Sequence, residues 1–221
     1  MNPLERSGDV FQLAGLIKAQ DLSRRALNEI AAEVRPGMDE IAIVEIAVSH
    51  MQRMGSPRAW HRPVVRVGKN TIYKFNENQR VRSILQKDDI FFLDLGPNWV
   101  IDGVEYEGDI GETFTVGKSD DLDHLARTAA SLYRKGCDHW KAERPKGRQL
   151  YEWLSGQARG EGFELKTDVD GHRLSEFSHR QYFNHGLWEI DFVPTEGRWI
   201  LEIQLYDPKT GCGAFFEDLL I

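Results

Sequence analysis

The chain has 221 residues, of which 29% are charged, and a formal net charge of −7. This acidic balance argues against a nucleic acid or an anionic membrane as partner, because both select basic surfaces. No stretch approaches the ~18 apolar residues of a membrane span, and the start MNPLERSGDV lacks the apolar core of a signal peptide. The cysteines, Cys137 and Cys212, have neither zinc-ligand nor redox spacing. We therefore expect a cytoplasmic protein with reduced thiols.

The first half of the chain is predicted to begin with two helices. Apolar residues recur at helical spacing from Asp9 to Val34, which gives one apolar stripe. The turn RPGMD ends this helix, and Asp39 is suited to cap a second helix over residues 40–54. Strand-like apolar runs follow at residues 63–67, 90–95 and 112–116.

The second half repeats this order of helices and strands. A helix is predicted to follow SDD at residues 119–121 and to continue to Glu143, and a shorter one covers residues 148–159. Further strand-like runs are WILEIQL at residues 199–205 and GAFFEDLLI at residues 213–221. No Pro/Gly/Ser-rich linker, repeat or low-complexity segment divides the chain. We therefore predict one mixed domain over residues 1–221.

Acidic residues occur at positions where a strand would surround them with apolar neighbours. If GAFFEDLLI is a strand, Glu217 shares its face with Phe215 and Leu219. An ionised carboxylate there is costly unless it is paired, hydrogen-bonded or bound to a metal. An edge strand with its acids in water would explain this stretch alone. The same pattern recurs, however, and the four acids concerned are Asp94 in IFFLDLG, Asp109 in EYEGDIGETFTVG, Glu202 in WILEIQL and Glu217 in AFFEDLL.

A shared cation explains four such acids better than four separate partners. Carboxylate oxygens suit Mg, Mn or Fe, and an added imidazole shifts the preference toward Mn, Fe, Co or Zn. The segment DGHRLSEFSHRQYFNHGL contains the candidate imidazoles His172, His179 and His185. These histidines could simply lie on a surface loop. Beside four strand acids, we favour a ligand role for His172.

These residues, in this order, resemble the methionine aminopeptidase/prolidase family, in particular its aminopeptidase P-like branch. The segment VRPGMDEIAIVEIAVSHMQRMG also resembles the stretch leading into the family's second helix. The resemblance implies an α+β pita-bread (creatinase/aminopeptidase) fold, a single domain with a curved, mostly antiparallel sheet covered by helices. The matching positions in chain order are Asp94, Asp109, His172, Glu202 and Glu217.

The resemblance also implies a centre of two divalent metal ions. Manganese is the first expectation, with iron, cobalt or zinc as alternatives. Asp94 would chelate one ion, and His172 and Glu202 would hold the other. Asp109 and Glu217 would bridge both.

Catalytic roles follow from the same resemblance. Glu202 would take a proton from the bridging water, so that a hydroxide attacks the scissile carbonyl, and pass the proton to the leaving nitrogen. A second family histidine lines the substrate site seven residues after the ligand histidine. His179 matches that offset from His172, so it is assigned to catalysis and substrate binding.

The spacing between the two aspartates departs from the family. Asp94 and Asp109 are 15 residues apart (109 − 94), more than is usual. If they flank a β-hairpin and the extra residues are shared evenly, each strand keeps its facing. Asp102 is the alternative ligand, although Asp102-Gly103 is typical of a hairpin turn.

A second departure concerns substrate binding. Family peptidases carry a histidine shortly after the segment that corresponds to VVRVGKNT, and Phe75 takes its place here. The nearest histidine is His61 in AWHRP, on the other side of the predicted strand 63–67, where a structural role is the default interpretation and a site role is the alternative. We assign Trp60, His61 and Phe75 as candidate substrate-binding residues.

The implied function is a dinuclear metal hydrolase of aminopeptidase P/Xaa-Pro type acting on a small peptide or amide. One alternative uses the same metal site for non-peptide C–N hydrolysis or di-iron oxidation, and another is a non-catalytic pita-bread binding module. Most prolidase-type relatives have a separate N-terminal domain, whereas this chain is expected to start almost directly with the catalytic half. The substrate pocket is then expected either to be more open than in those relatives or to be closed by another subunit. A homodimer is expected.

Overall fold

A computed structural model describes residues 2–75, 77, 82–177 and 185–221. Within these residues an antiparallel sheet is covered on one face by four long helices. The helices are α1 (Leu13–Glu33), α2 (Glu40–Arg53), α3 (Asp120–Glu143) and α4 (Gly147–Gly160). The strands are β1 (Ala59–Val67), β2 (Asp89–Ile101), β3 (Val104–Glu107), β4 (Ile110–Val116), β5 (Glu164–Leu165), β6 (Ile200–Asp207) and β7 (Cys212–Leu219). The strand order is β1-β2-β4-β7-β6-β5, with β3 paired to β2 alone.

All four predicted helices are present, and apart from the start of α1 their bounds agree with the prediction to within one or two residues. Asp39 caps α2, since its side chain accepts a hydrogen bond from the backbone nitrogen of Ala42 at 2.9 Å. Helix α1 begins at Leu13 rather than at Asp9. The residues before it form a turn, in which the backbone nitrogen of Phe11 donates to the carbonyl of Gly8 at 3.2 Å.

The longest strand, β2, extends well beyond the predicted run of residues 90–95. Its first part pairs with β1 and β4, and its second part pairs with β3. Gly96 and Pro97 resemble a strand end in sequence, but β3 folds back on β2 and continues the ladder. Asp102 and Gly103 form the hairpin turn with φ of 52° and 82°, the conformation that Asp-Gly turns favour. The Asp102 side chain is exposed at this tip, so it is not the alternative ligand.

The helices cover one face of the sheet in two groups. Helices α1 and α2 pack on the alternate β2 residues Phe91, Leu93 and Leu95. Helices α3 and α4 pack on Leu201 and Ile203 of β6 and on their neighbours. The intervening residues of each strand therefore point to the opposite face, because side chains alternate along a strand.

Strand β7 lies at the centre of the sheet, between β4 and β6. The interpretation of GAFFEDLLI as an edge strand with acids in water is therefore wrong. Glu217 is 3% exposed and lies on the face opposite α3 and α4. Among the described helices, none is long and apolar enough to cross a membrane.

Gly171 marks a close approach of two backbones directly before His172. A Cβ atom on Gly171 would collide with the carbonyl oxygen of Ile200 at the start of β6.

We expect Gly171→Ala to lower the free energy of unfolding by about 1–3 kcal/mol, the cost typical of overpacking. Gly156, inside α4, has no atom within 4 Å of an added Cβ. Gly156→Ala should therefore stabilise by about 0.5–1 kcal/mol. Urea unfolding of both variants checks this; equal effects would contradict the close approach.

Candidate metal centre

Three acidic residues lie in one row across four neighbouring strands. Asp94 on β2 is opposite Gly111 on β4, Gly111 is opposite Glu217 on β7, and Glu217 is opposite Glu202 on β6. Directly opposite residues share a face, so the carboxylates point to the side that the helices leave uncovered. Gly111 has no side chain, and a Cβ there would lie 2.8 Å from Glu217 Oε1. The glycine thus leaves room between Asp94 and Glu217.

Asp109 reaches the same face from the residue just before β4 and is 1% exposed. Its backbone is held by Gln20 of α1 through two hydrogen bonds of 2.7 Å. The backbone nitrogen of Asp109 donates to Gln20 Oε1, and Gln20 Nε2 donates to the Asp109 carbonyl. The preceding residue, Gly108, accepts a hydrogen bond from Trp60 Nε1 at 2.9 Å. Helix α1 and strand β1 therefore fix the position of this carboxylate.

His172 lies on the segment before β6 and faces Asp109 and Glu202. Its Nε2 atom is 2.7 Å from Asp109 Oδ2 and 3.9 Å from Glu202 Oε1. The Tyr151 hydroxyl joins this segment to β6, because it accepts a hydrogen bond from Gly171 N at 2.8 Å and donates to the Glu202 carbonyl at 2.9 Å. One buried tyrosine thus sets the spacing between two candidate ligands.

His61 also lies against the acids. Its Nε2 atom is 3.3 Å from Asp94 Oδ1 and 3.4 Å from Asp109 Oδ1. The rings of Trp60 and His61 meet edge to face with centroids 4.4 Å apart, and Trp60 contacts the His172 ring at 5.5 Å. Trp60 therefore lies beside both histidines.

Burial and mutual repulsion shift the acids toward their protonated forms. Burial raises the pKa of Glu202 to about 8 and that of Asp94 to about 6. Burial, together with Asp109 and Asp94, raises the pKa of Glu217 well above its ordinary value. Asp109 differs: although burial opposes the effect, His172 and His61 lower its pKa.

The two histidines are shifted toward their charged forms. Burial works against the shift, but Asp109 and Glu202 raise the pKa of His172 to about 10. Asp94 and Asp109 likewise raise the pKa of His61 to about 9 against the effect of burial. Without metal, the repulsion among the four carboxylates is therefore reduced by protons that the cluster binds on its acids and histidines.

The donor set fits divalent metal ions. Carboxylate oxygens with imidazole nitrogens suit Mn, Fe, Co or Zn. Glu217 Oε1 is buried and has no hydrogen-bond donor among the described residues. Over residues 2–75, 77, 82–177 and 185–221, two groups each have ligand atoms within 4.8 Å of one another, and both contain Asp109. They are His61 with Asp94 and Asp109, and Asp109 with His172 and Glu217.

The remaining candidates are placed differently. Phe75 is 69% exposed, and its carbonyl accepts a hydrogen bond from Arg66 Nη2 at 3.4 Å. His179 lies outside the described residues. His185 Nδ1 is 3.1 Å from Glu189 Oε2. Asp218 points to the helix face, where it binds Arg24 and accepts from Gln20 Nε2 at 2.9 Å.

Several supporting residues have no sequence signal. Gln20 and Tyr151 lie inside helices, where one polar or aromatic residue is ordinary. Gly111 is one of several glycines in the sequence around Asp109. These contacts depend on which strands become neighbours, so only the structure identifies them.

The fold and this acidic cluster define a class of metal-dependent peptidases. Residues 14–221 match the model of metallopeptidase family M24, and the chain belongs to this family. Among curated proteins, none matches the chain significantly.

Solved structures of similar fold support the assignment. The prolidase from Pyrococcus horikoshii OT3 shares 17% identity with a TM-score of 0.73, over 98% of this chain and 60% of its own. The X-Pro aminopeptidase from Thermotoga maritima MSB8 shares 17% identity with a TM-score of 0.71, over 93% of this chain and 56% of its own. Methionine aminopeptidase from Thermotoga maritima shares 15% identity with a TM-score of 0.67, over 93% of this chain and 90% of its own. The pita-bread fold prediction is therefore confirmed.

The chain spans somewhat more than half the length of the prolidase and X-Pro aminopeptidase structures. At these identities the structures establish the fold, whereas substrate and reaction have to be argued from the site.

The protons bound by the metal-free cluster predict a pH dependence of stability. The folded-state pKa values of Glu202, His61 and His172 are all raised, so the metal-free folded state binds more protons than the unfolded chain. The stability from the histidines is complete below about pH 6.5 and is lost through their raised pKa values. The raised acids act in the same direction from about pH 4.5 upward. Asp109, whose pKa is lowered, affects stability only at lower pH.

We therefore expect the melting temperature in chelator to fall steadily from about pH 5.5 to about pH 8.5. Added Mn²⁺ or Zn²⁺ should weaken or reverse this trend, because metal ions bind the deprotonated ligands. Thermal unfolding with and without metal measures both. If the melting temperature in chelator rises over this pH range, the raised pKa values assigned to Glu202, His61 and His172 are wrong.

Proposed function

We propose that the protein is a dinuclear metal-dependent hydrolase that cleaves a peptide or amide bond of a small substrate, as an aminopeptidase of Xaa-Pro type does. The observation that carries this proposal is the row formed by Asp94, Glu217 and Glu202, which Asp109 and His172 complete from either side. Asp109 and Glu217 are buried, and Asp94 and Glu202 are partly buried, on a face that the helices leave open. A cation is the partner that relieves their repulsion.

Five residues would hold the two ions. Asp94 would bind one, His172 and Glu202 would bind the other, and Asp109 and Glu217 would contribute to both. Bound there, the ions would lower the pKa of a water from ~15.7 toward 7 and polarise the scissile carbonyl.

Glu202 is the proposed general base and acid. Tyr151 fixes its backbone at both the nitrogen and the carbonyl, at 3.3 Å and 2.9 Å. Its carboxylate then takes a proton from the attacking water and returns it to the leaving nitrogen. His179, which belongs to the segment after His172, is proposed to donate a hydrogen bond to the substrate.

A cluster of buried apolar side chains beside the row supports a substrate with a small apolar side chain or a proline ring. Phe92 and Phe215 contact each other with ring centroids 5.2 Å apart, and Val64 and Val169 pack against them. Phe92 and Phe215 are each two residues from a proposed ligand on the same strand, so they share the face of the centre. This neighbourhood supports substrate groups that are apolar next to the scissile bond.

The proposal also covers the metal, the cellular location and the oligomeric state. Manganese is the proposed metal because carboxylates dominate the donor set. Cytoplasmic location is supported by the two buried, unpaired cysteines. A homodimer is proposed from the family resemblance alone.

A second function retains the metals but changes the substrate. Phe75 is exposed at the position where family peptidases carry a substrate-binding histidine. Because this substitution removes a substrate-binding group of the family peptidases, it supports a different reaction at the same metals: hydrolysis of a non-peptide C–N bond, or oxidation at a di-iron centre. Assays with dipeptides, Xaa-Pro peptides and simple amides, each with manganese, cobalt and iron forms, separate these functions. Turnover confined to a non-peptide would replace the aminopeptidase assignment.

Metal content is the primary test. Protein purified without chelators should contain about two equivalents of divalent transition metal. The double variant Asp109→Asn/Glu217→Gln should lose both, because each residue serves both ions. Elemental mass spectrometry measures the content. A native protein that takes up no metal, even after incubation with each ion, would support a non-catalytic binding module instead.

Glu202→Gln tests the proton-transfer role. The amide keeps the shape and one oxygen donor, so much of the metal should remain. It cannot accept the proton, so turnover should fall by about 10²–10⁴-fold. Glu164→Gln, on the exposed strand β5, is the matched control. An unchanged kcat in metal-loaded Glu202→Gln would refute the assigned role.

A further inference from the structure

We propose that His61 is a sixth protein ligand of the metal centre, bound to the ion that Asp94 chelates. This inference rests on the proposed dinuclear site and adds a residue to it. Each ion would then receive one imidazole, His61 on the Asp94 side and His172 on the Glu202 side.

The first argument is the distance between donor atoms. His61 Nε2 lies 3.3 Å from Asp94 Oδ1 and 3.4 Å from Asp109 Oδ1. Both separations exceed the ~2.7–2.9 Å of a charge-assisted hydrogen bond. They fall within the ~3.0–3.4 Å that separates ligands about 2.1 Å from one ion in octahedral or tetrahedral arrangement. Nε2 is thus nearly equidistant from the two oxygens instead of forming one short pair, and ligand atoms of His61, Asp94 and Asp109 all lie within 4.8 Å of one another.

The second argument is the orientation of the ring. His61 Nδ1 lies 2.9 Å from the Arg62 carbonyl, which can only accept, so Nδ1 carries the hydrogen. His172 makes the same contact, with Nδ1 2.9 Å from the Arg173 carbonyl. A backbone carbonyl on one ring nitrogen is the usual way to direct the other toward a metal. In both histidines, the hydrogen bond from Nδ1 to a backbone carbonyl therefore turns Nε2 toward the acids.

The third argument is the way β1 is built around His61. The pairing of β1 with β2 shifts register on both sides of this residue, between Ala59 and His61 and between His61 and Val64. Bulges of this kind redirect side chains and are frequent next to active sites. Without the shift, the residue opposite Gly96 would be Arg62, two positions before Val64. The irregularity therefore delivers an imidazole to the face of the acids.

The space for the ring is also specific. A Cβ on Gly96 would collide with the His61 ring and lie 2.7 Å from Trp60 Nε1. Trp60 in turn holds the Gly108 carbonyl beside Asp109. The ring is thus confined between β2 and Trp60.

The test measures metal ligation directly. Zinc-loaded wild type should show about one imidazole per ion by X-ray absorption, since two histidines serve two ions. His61→Ala, loaded with two zinc ions, should show about half as many imidazoles per ion. In equilibrium dialysis this variant should bind the more weakly held of its two ions at least ~10-fold less tightly than wild type does, because even loss of an outer-shell partner costs 10–100-fold. Gly96→Ala, which keeps the histidine but removes its space, should have the same effect.

A gain of signal and a matched control complete the experiment. His61→Cys, loaded with cobalt, should acquire a thiolate-to-cobalt charge-transfer band that the wild type lacks. His50→Ala removes a histidine of α2 that also faces two carboxylates, those of Glu29 at 2.9 Å and Glu33 at 3.1 Å on α1. It should leave the imidazole count and both metal affinities unchanged.

The outcomes separate this inference from the proposed function. Wild type without metal would overturn both. Two ions in wild type, with an unchanged imidazole count in His61→Ala and no thiolate band in His61→Cys, would overturn the sixth ligand and leave the dinuclear hydrolase intact. A cooperative unfolding transition of each variant in chelator confirms that it is folded.

Discussion

The registers of four central strands are the constraint on which the centre depends. Asp94, Gly111, Glu217 and Glu202 share one row only because β2, β4, β7 and β6 pair in these registers. A slip of one residue in any of these strands would turn its residue toward the helices. The apolar residues under the helices enforce the registers, because the same slip would expose them. Helix packing on one face therefore determines the geometry of acids on the other.

The acids repel one another, so the ligand backbones need support from outside the cluster. Gln20 holds Asp109 by its own backbone groups, and Tyr151 ties the segment of His172 to the strand of Glu202. These contacts use neutral groups and leave the carboxylate oxygens available. The division suits a centre that has to remain ordered while its protonation or metal content changes.

The sequence predicts this centre unevenly, for physical reasons. Apolar periodicity identifies the long helices, and an acid among apolar neighbours is conspicuous wherever it occurs. Family resemblance then orders the acids with His172. Residues that act through long-range contacts, such as Gln20 and Gly111, carry no local signal. The irregular register of β1 around His61 likewise has no local signal, because it arises from pairing with β2.

The position of His61 also limits how the protein can compensate for Phe75. A histidine that binds a substrate carbonyl must offer it an N–H. Nδ1 of His61 is committed to the Arg62 carbonyl, and Nε2 faces Asp94 and Asp109. His61 therefore does not replace the histidine that the family places at residue 75. In the proposed hydrolase, stabilisation of a developing oxyanion would then fall to the metal centre and to donors such as His179. This would favour substrates whose carbonyl is already polarised or weakly conjugated with its nitrogen.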